Sequence, residues 1–241
     1  KFYVSASGSS GTLAAGDYLK DRLGTKIAVV EATECPTLLN NGYGEHNIQG
    51  IGDKHVPLIH NVMNTDFVVG ISDKATNNLN MIFNTEIGQK YLTTKKGFDV
   101  NFINRLPEFG FSTIANILAS IKLAKYMHLG KDDAIITVAT DGADLYLSEL
   151  EKTKQEFKGI YDETSCAEIY GQYLKGVTSD HTMELNQREK ERIFNLGYYT
   201  WVEQQGIDLE DFDKRRDQNF WNEHYENMLS LDNQVKEFNN M

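Results

Sequence analysis

"VSASGSSGTLAAGDYLKDRLG", residues 4–24, passes from a short apolar run into a helical pattern through Gly8, Ser9, Ser10, Gly11 and Thr12. The run reads as a buried strand, and Leu13, Ala14, Tyr18, Leu19 and Leu23 recur at helical spacing, so they are expected to form the apolar face of the helix that follows. The rest of the chain repeats the alternation. "KIAVVEA" (26–32), "DFVVGIS" (66–72) and "AIITVAT" (134–140) have the β-branched character of buried parallel strands, as does "FYVSA" at 2–6. "FSTIANILASIKLAKYMHLG" (111–130) reads as a long helix that Gly130 ends. Strands and helices in this order imply an α/β fold with a doubly wound, mostly parallel sheet. From 151 onward the character changes: residues 151–241 hold 11 basic and 19 acidic residues and many aromatics, and no run reads as a strand. The expected organisation is an α/β domain over 1–150 and a helical extension over 151–241, packed on that domain or on a partner subunit.

The joint at 8–12 sits at the carboxyl end of a parallel strand, where open α/β folds bind ligands. Small residues there let backbone amides approach an anion. The helix N-terminus adds its positive dipole end and the hydroxyls add donors, so a phosphate monoester is the natural guest. The spacing contains no G-x-x-x-x-G-K-[ST], which excludes a nucleoside triphosphatase loop, and no G-x-G-x-x-G, which leaves a dinucleotide site unsupported. A tight turn with nothing bound is the alternative.

The 241 residues carry a net charge of -11, which argues against nucleic acid as a partner and favours a small molecule. No apolar run reaches the roughly 18 residues of a membrane span, and no signal-type stretch opens the chain. Cys35 and Cys166 lack metal-ligand spacing and read as free thiols, which fits a reducing, cytoplasmic setting. In the extension, Tyr198, Tyr199, Trp201, Phe220, Trp221 and Tyr225 are expected to anchor helices by packing. Glu189, Glu191, Asp208, Glu210, Asp211 and Asp213 read as solvated helix faces, with no metal expected.

Several stretches together resemble one family. "GSSGTLAAGDYLK" (8–20) is similar to the phosphate loop of the fold type II, or tryptophan-synthase β group, pyridoxal-phosphate enzymes. "VVEATECPTLLNNGYGEHNIQGIGDKHVP" (29–57) is similar to the V-E-P-x-x-S-P and H-x-I-Q-G-I-G segments of the cysteine synthase and cystathionine β-synthase branch. "GFSTIANILASIKLAK" (110–125) and "IITVATDGADLYLSE" (135–149) resemble its G-I-S-S-G-A helix and its D-S-G-E-R-Y-L-S turn, with an apparent insertion near 85–107.

The resemblance implies that Gly8, Ser9, Ser10, Gly11 and Thr12 hold the phosphate of pyridoxal 5'-phosphate, and that Gly50, Ile51 and Gly52 form the loop beside an amino-acid substrate. Thr140 or Asp141 is implied as the partner of the cofactor's pyridine nitrogen. Asp141 also reads as the N-cap of a helix near Ala143, which favours Thr140. A hydroxyl partner leaves that nitrogen largely unprotonated and suits β-replacement and β-elimination. His46 reads as structural. The family's aldimine lysine lies well before the Gly-rich loop; Lys1 and Lys54 stand in no matching context. The opening "KFYVSAS" is already strand-like, so the chain is expected to be the carboxyl-terminal portion of such an enzyme, inactive alone, with no catalytic residue of its own. It would act as a homodimer or with a companion chain. A deaminating lyase acting on serine, threonine or a diamino acid is the alternative chemistry, and a non-catalytic phosphate-ligand binding domain the alternative class.

Overall fold

The computed structural model describes residues 1–52 and 54–240, apart from the side chain of Leu229. Among them, five strands form one sheet: β1 (Phe2–Ala6), β2 (Lys26–Ala32), β3 (Phe67–Ile71), β4 (Ile135–Thr137) and β5 (Thr182–Glu184), in the order β4-β1-β2-β3-β5. The first four run parallel, and β5 pairs antiparallel with β3. The helices are α1 (Leu13–Leu23), α2 (Thr37–Asn40), α3 (Asp73–Asn84), α4 (Glu86–Lys96), α5 (Val100–Ile103), α6 (Phe111–Tyr126), α7 (Leu147–Glu156), α8 (Glu163–Tyr170), α9 (Gln187–Tyr198), α10 (Leu209–Lys214) and α11 (Gln218–Asn239).

Strand alternation explains the two cores. Along β2, Ala28, Val30 and Ala32 face one side, where they meet Leu79 and Ile82 of α3, Leu92 of α4, Ile114 and Leu118 of α6 and Cys166 of α8. Ile27 and Val29 face the other side, with Leu13 of α1, Ile193 and Phe194 of α9 and Phe212 of α10. Both faces of the sheet are covered, as parallel strands require. The segment 85–107, read as an insertion, is largely helical: α4 and α5 fill it, with Thr85 capping α4 by accepting from the Gly88 amide at 3.1 Å.

The sequence reading needs correction at five places. The residues after 151 do contain a strand. β5 is three residues long and polar, and its pairing is set by the neighbouring edge of β3 rather than by its own pattern. β4 covers only three of the residues 134–140 and is an edge strand, with Ile136 48% exposed rather than buried. α1 does not bury Tyr18 or Leu23, which are 53% and 71% exposed. Its contact face is built on Leu13 and Gly16, where a Cβ on Gly16 would lie 2.7 Å from the Tyr3 ring, so the helix rests on β1 by its small residues. α6 ends at Tyr126; the left-handed residue beyond it is His128 (φ 50°), two residues before Gly130. Glu189 and Glu191 are half-buried in ion pairs with Arg192 and Arg216.

The aromatic residues of 195–225 divide. Trp201 donates its indole N–H to the Val56 carbonyl at 2.7 Å, Trp221 donates to the Arg215 carbonyl at 2.9 Å, and Tyr198 packs edge-on against Phe212. Tyr199 is exposed.

Candidate functional site

The order of the strands reverses at β1: β2 and β3 follow on one side, and the chain then returns to place β4 on the other. A crevice opens outside the carboxyl ends of strands at such a switch point. It is a cavity of about 120 Å³, walled by Ser5, Ala6 and the residues 8–12 that follow β1, by Gly50 and Ile51, by Ser112 and Asn116 of α6, and by Val138 and Thr140 beyond β4.

The loop after β1 is held from behind by its own hydroxyls. Ser7 and Ser10 share a hydrogen bond at 2.8 Å, Ser5 and Thr12 another at 2.8 Å, and the Tyr3 hydroxyl donates to the Thr12 carbonyl at 2.6 Å. Ser10 turns the chain through the left-handed region (φ 71°), which costs a non-glycine residue conformational energy. The carbonyls of Ser10, Gly11 and Thr12 accept from Leu13, Ala14 and Ala15 and so close the first turn of α1. The amides of Ser9, Ser10, Gly11 and Thr12 have no acceptor among the described residues. Four uncommitted N–H groups at the positive end of an eleven-residue helix make a receptor for an anion.

The second wall is pinned at both ends. Asp73, in the first turn of α3, accepts from the Asn47 amide at 2.5 Å and the Ile48 amide at 3.2 Å. Burial raises its pKa. Downstream, the Gly52 amide donates to the Ser7 carbonyl at 2.6 Å. Between these ties Gly50 (φ 79°) and Gly52 (φ 84°) adopt backbone conformations that favour glycine, and a Cβ on Gly52 would fall on the His46 ring. At Gly8 a Cβ would lie 3.3 Å from the Gly50 carbonyl, so the two walls meet backbone to backbone.

Gly8 to Thr12, Gly50, Ile51 and Thr140 therefore converge on one cavity, whereas Gly52 and Asp141 stand outside its wall. Thr140 shares a hydrogen bond with Ser112 at 2.9 Å. Asp141 instead accepts from the Tyr146 hydroxyl at 2.7 Å, and its carbonyl accepts from the Gly110 amide at 2.7 Å. Burial, reinforced by Asp141, pushes the Tyr146 hydroxyl up to about 12. The N-cap expected at Asp141 belongs to Gly142, which precedes the turn Ala143–Tyr146, and no side chain caps it. Neither Lys1 nor Lys54 lines the cavity.

Sequence reasoning missed Ser112 and Asn116. Asn116 donates from Nδ2 to the Val138 carbonyl at 3.0 Å, while its Oδ1 is buried without a partner among the described residues. The two stand four residues apart on one face of α6, with Ser120 a further four residues on, and that spacing was the available signal.

No family model matches the chain. Cysteine synthase B of Campylobacter jejuni is 32% identical over 148 residues, which are 61% of this chain and 42% of the relative. Over this part the chain resembles the cysteine synthase branch of the fold type II pyridoxal-phosphate enzymes. The O-acetylserine sulfhydrylase isoform 3 of Entamoeba histolytica has 26% identity and a TM-score of 0.51, covering 72% of this chain and 45% of that one. The cysteine synthase of the same organism has 26% identity and a TM-score of 0.50, covering 71% and 44%. The chain thus spans less than half the length of the relatives it matches.

Proposed function

We propose that the cavity holds pyridoxal 5'-phosphate and that the protein catalyses β-replacement or β-elimination on a small amino acid, in the manner of a cysteine synthase. The observation that carries this reading is the set of four uncommitted amides, Ser9 to Thr12, at the start of α1. They match the charge and size of a phosphate monoester. A Cβ on Gly8 would lie 3.3 Å from the Gly50 carbonyl, so glycine there lets the two walls of the cradle approach closely. The residues fit the group.

Pyridoxal phosphate supplies an electron sink for chemistry at the α- and β-carbons of an amino acid. The chain's own residues bind and orient. Amides 9–12 hold the phosphate, and the hydroxyls behind them keep those amides aimed outward. Gly50 and Ile51 leave room beside the ring for the substrate, and Asp73 with Ser7 keeps that loop in place. From the wall opposite residues 9–12, the hydroxyls of Ser112 and Thr140 would offer the cofactor polar contacts.

The test is an assay of the native full-length protein with O-acetylserine, sulfide and pyridoxal phosphate. Formation of cysteine and acetate, dependent on the cofactor, supports the reading. Cofactor binding with neither cysteine nor acetate formed, but with ammonia and a 2-oxo acid released (pyruvate from serine or 2,3-diaminopropionate, 2-oxobutyrate from threonine), would move the protein to a deaminating lyase.

A further inference from the structure

A second cavity, of about 240 Å³, opens between the start of α3, the middle of α6 and residues 172–180 of the extension. Its apolar side is formed by Ile71, Ala75 and Leu118. Lys122 of α6 also lines it; the side chain is only 10% exposed and donates from Nζ to the carbonyl and to Oδ1 of Asp180, both at 2.9 Å. A buried ion pair is a poor source of stability, because apolar side chains of similar volume in its place are often as good or better. An ammonium has three N–H groups, and these two bonds leave one. The Asp180 side chain is 58% exposed, and its Oδ2 has His181 as its neighbour, 3.8 Å away. Ser72, also on the wall, accepts from the Ala75 amide at 3.2 Å as the N-cap of α3, and its own hydroxyl hydrogen has no acceptor among the described residues. On the extension's side, Gly171–Lys175 wind as a π-helical turn, a form frequent at functional sites.

We propose that this cavity binds a small α-amino acid with an apolar side chain, its carboxylate on Lys122 and Ser72, its ammonium on Asp180 Oδ2 and its side chain on Ile71, Ala75 and Leu118, and that the bound amino acid firms the loop beside the cofactor cavity. A spare donor on a cation, a carboxylate oxygen and an apolar surface complement the three parts of such a molecule. The volume lies below the roughly 300–1,000 Å³ of pockets for drug-sized ligands, so the guest is small. The path to the loop is short. Ser72 precedes Asp73, whose carboxylate accepts from the Asn47 and Ile48 amides and whose own amide donates to Glu34 at 3.1 Å. A ligand that holds Ser72 and Ala75 therefore steadies the residue that pins the loop carrying Gly50 and Ile51. The site lies apart from the cofactor cavity and stands or falls independently of the function proposed above.

The experiment titrates the native full-length protein, labelled with ¹⁵N in its amides, with L-valine, with isovalerate, which lacks the ammonium, and with isobutylamine, which lacks the carboxylate. Valine should move the amide resonances of residues 72–75 and 172–180 and saturate by about 10 mM, with the other two compounds at least about tenfold weaker because each lacks one charged hydrogen bond. Lys122→Met should weaken valine binding at least about tenfold. Asp180→Asn should weaken valine by a similar factor yet bind isovalerate no less tightly than the native protein, since the carboxylate that competes for Lys122 is gone. Hydrogen exchange at the Asn47 and Ile48 amides should slow at least about threefold with valine bound. No saturable shift at 72–75 and 172–180, or shifts confined to 8–12 and 50–51, overturns the site, as does equal binding of valine and the two fragments. A folded Asp180→Asn that binds valine like the native protein overturns it too, whether or not Lys122→Met folds. Valine bound at this site with exchange at Asn47 and Ile48 unchanged overturns the coupling to the loop. Valine bound here by a protein that fails to take up pyridoxal phosphate supports this site and overturns the proposed function alone.

Discussion

Replacing Gly11 with Asp separates the anion site from the fold. A Cβ at residue 11 would meet only the Ser9 hydroxyl, at 3.6 Å, and Gly11 has no positive φ, so the backbone accepts a side chain there. A carboxylate just before the N-cap of α1 also interacts favourably with the helix dipole, so the ligand-free protein should keep its stability within roughly 1 kcal/mol. The bound phosphate meets the opposite field. With the carboxylate roughly 5 Å from a dianion held by amides 9–12, the repulsion is about 1.7 kcal/mol if the gap is water-like and about 7 kcal/mol at an effective dielectric constant near 20. Affinity for pyridoxal phosphate should therefore fall by at least about 15-fold, with the melting temperature of the ligand-free protein unchanged. Equilibrium binding followed by cofactor fluorescence, beside a thermal melt, reads both. A folded variant that binds within about threefold of the native protein would show that the phosphate lies elsewhere.

Two further expectations concern the loops around the cavity. Asp73→Ala removes the acceptor for the Asn47 and Ile48 amides, so hydrogen exchange at those two amides should accelerate at least about tenfold while inorganic phosphate affinity holds; slow exchange in the variant would mean that Asp73 does not position the loop. Burial raises the pKa of Glu31 to about 7, although the Leu38 and Leu39 amides at the start of α2 favour its charge. An acid whose folded pKa is raised stabilises the fold most when protonated, so its contribution falls as pH rises from about 4.5 to about 7, by up to ~3 kcal/mol. Buried His60, lowered to about 4, acts with the opposite sign: its contribution is present above pH 6.5 and is lost as pH falls toward 4. The clean reading is the difference between the native protein and Glu31→Gln, measured by denaturant unfolding across pH 4 to 8. The variant should lack the decline from about 4.5 to 7, and an identical pH profile for both proteins would refute the assignment.

Much of the sheet was legible because its strands are buried on both faces and read as continuous apolar runs: β1, β2 and β3 lie where 2–6, 26–32 and 66–72 placed them. The joint at 8–12 was legible for a different reason, since small and hydroxyl residues between a strand and a helix have few uses other than a turn or an anion site. What escaped the sequence depends on partners distant in the chain. β5 forms because β3 offers an edge, and nothing in "TME" announces it. Tyr18 and Leu23 lie at helical spacing with Leu13, yet Gly16 draws α1 onto Tyr3 and leaves them outside. Asp141 and Thr140 are adjacent, and only the hydroxyl of Tyr146 and the amide of Gly110 turn the aspartate out of the cavity. Ser112 and Asn116 sit in 111–130, read only as a long helix, and it takes the return of the chain to Val138 and Thr140 to bring them to the cavity.

The central claim is that the N–H groups of Ser9, Ser10, Gly11 and Thr12 receive the phosphate of pyridoxal phosphate. Backbone amide resonances of the ¹⁵N-labelled protein, titrated with pyridoxal phosphate and separately with pyridoxal, test it directly. The account predicts large shifts at residues 9–12 with the phosphorylated compound, shared by inorganic phosphate and absent with pyridoxal. Shifts that appear equally with pyridoxal, or that leave residues 9–12 unmoved while pyridoxal phosphate binds, would contradict it.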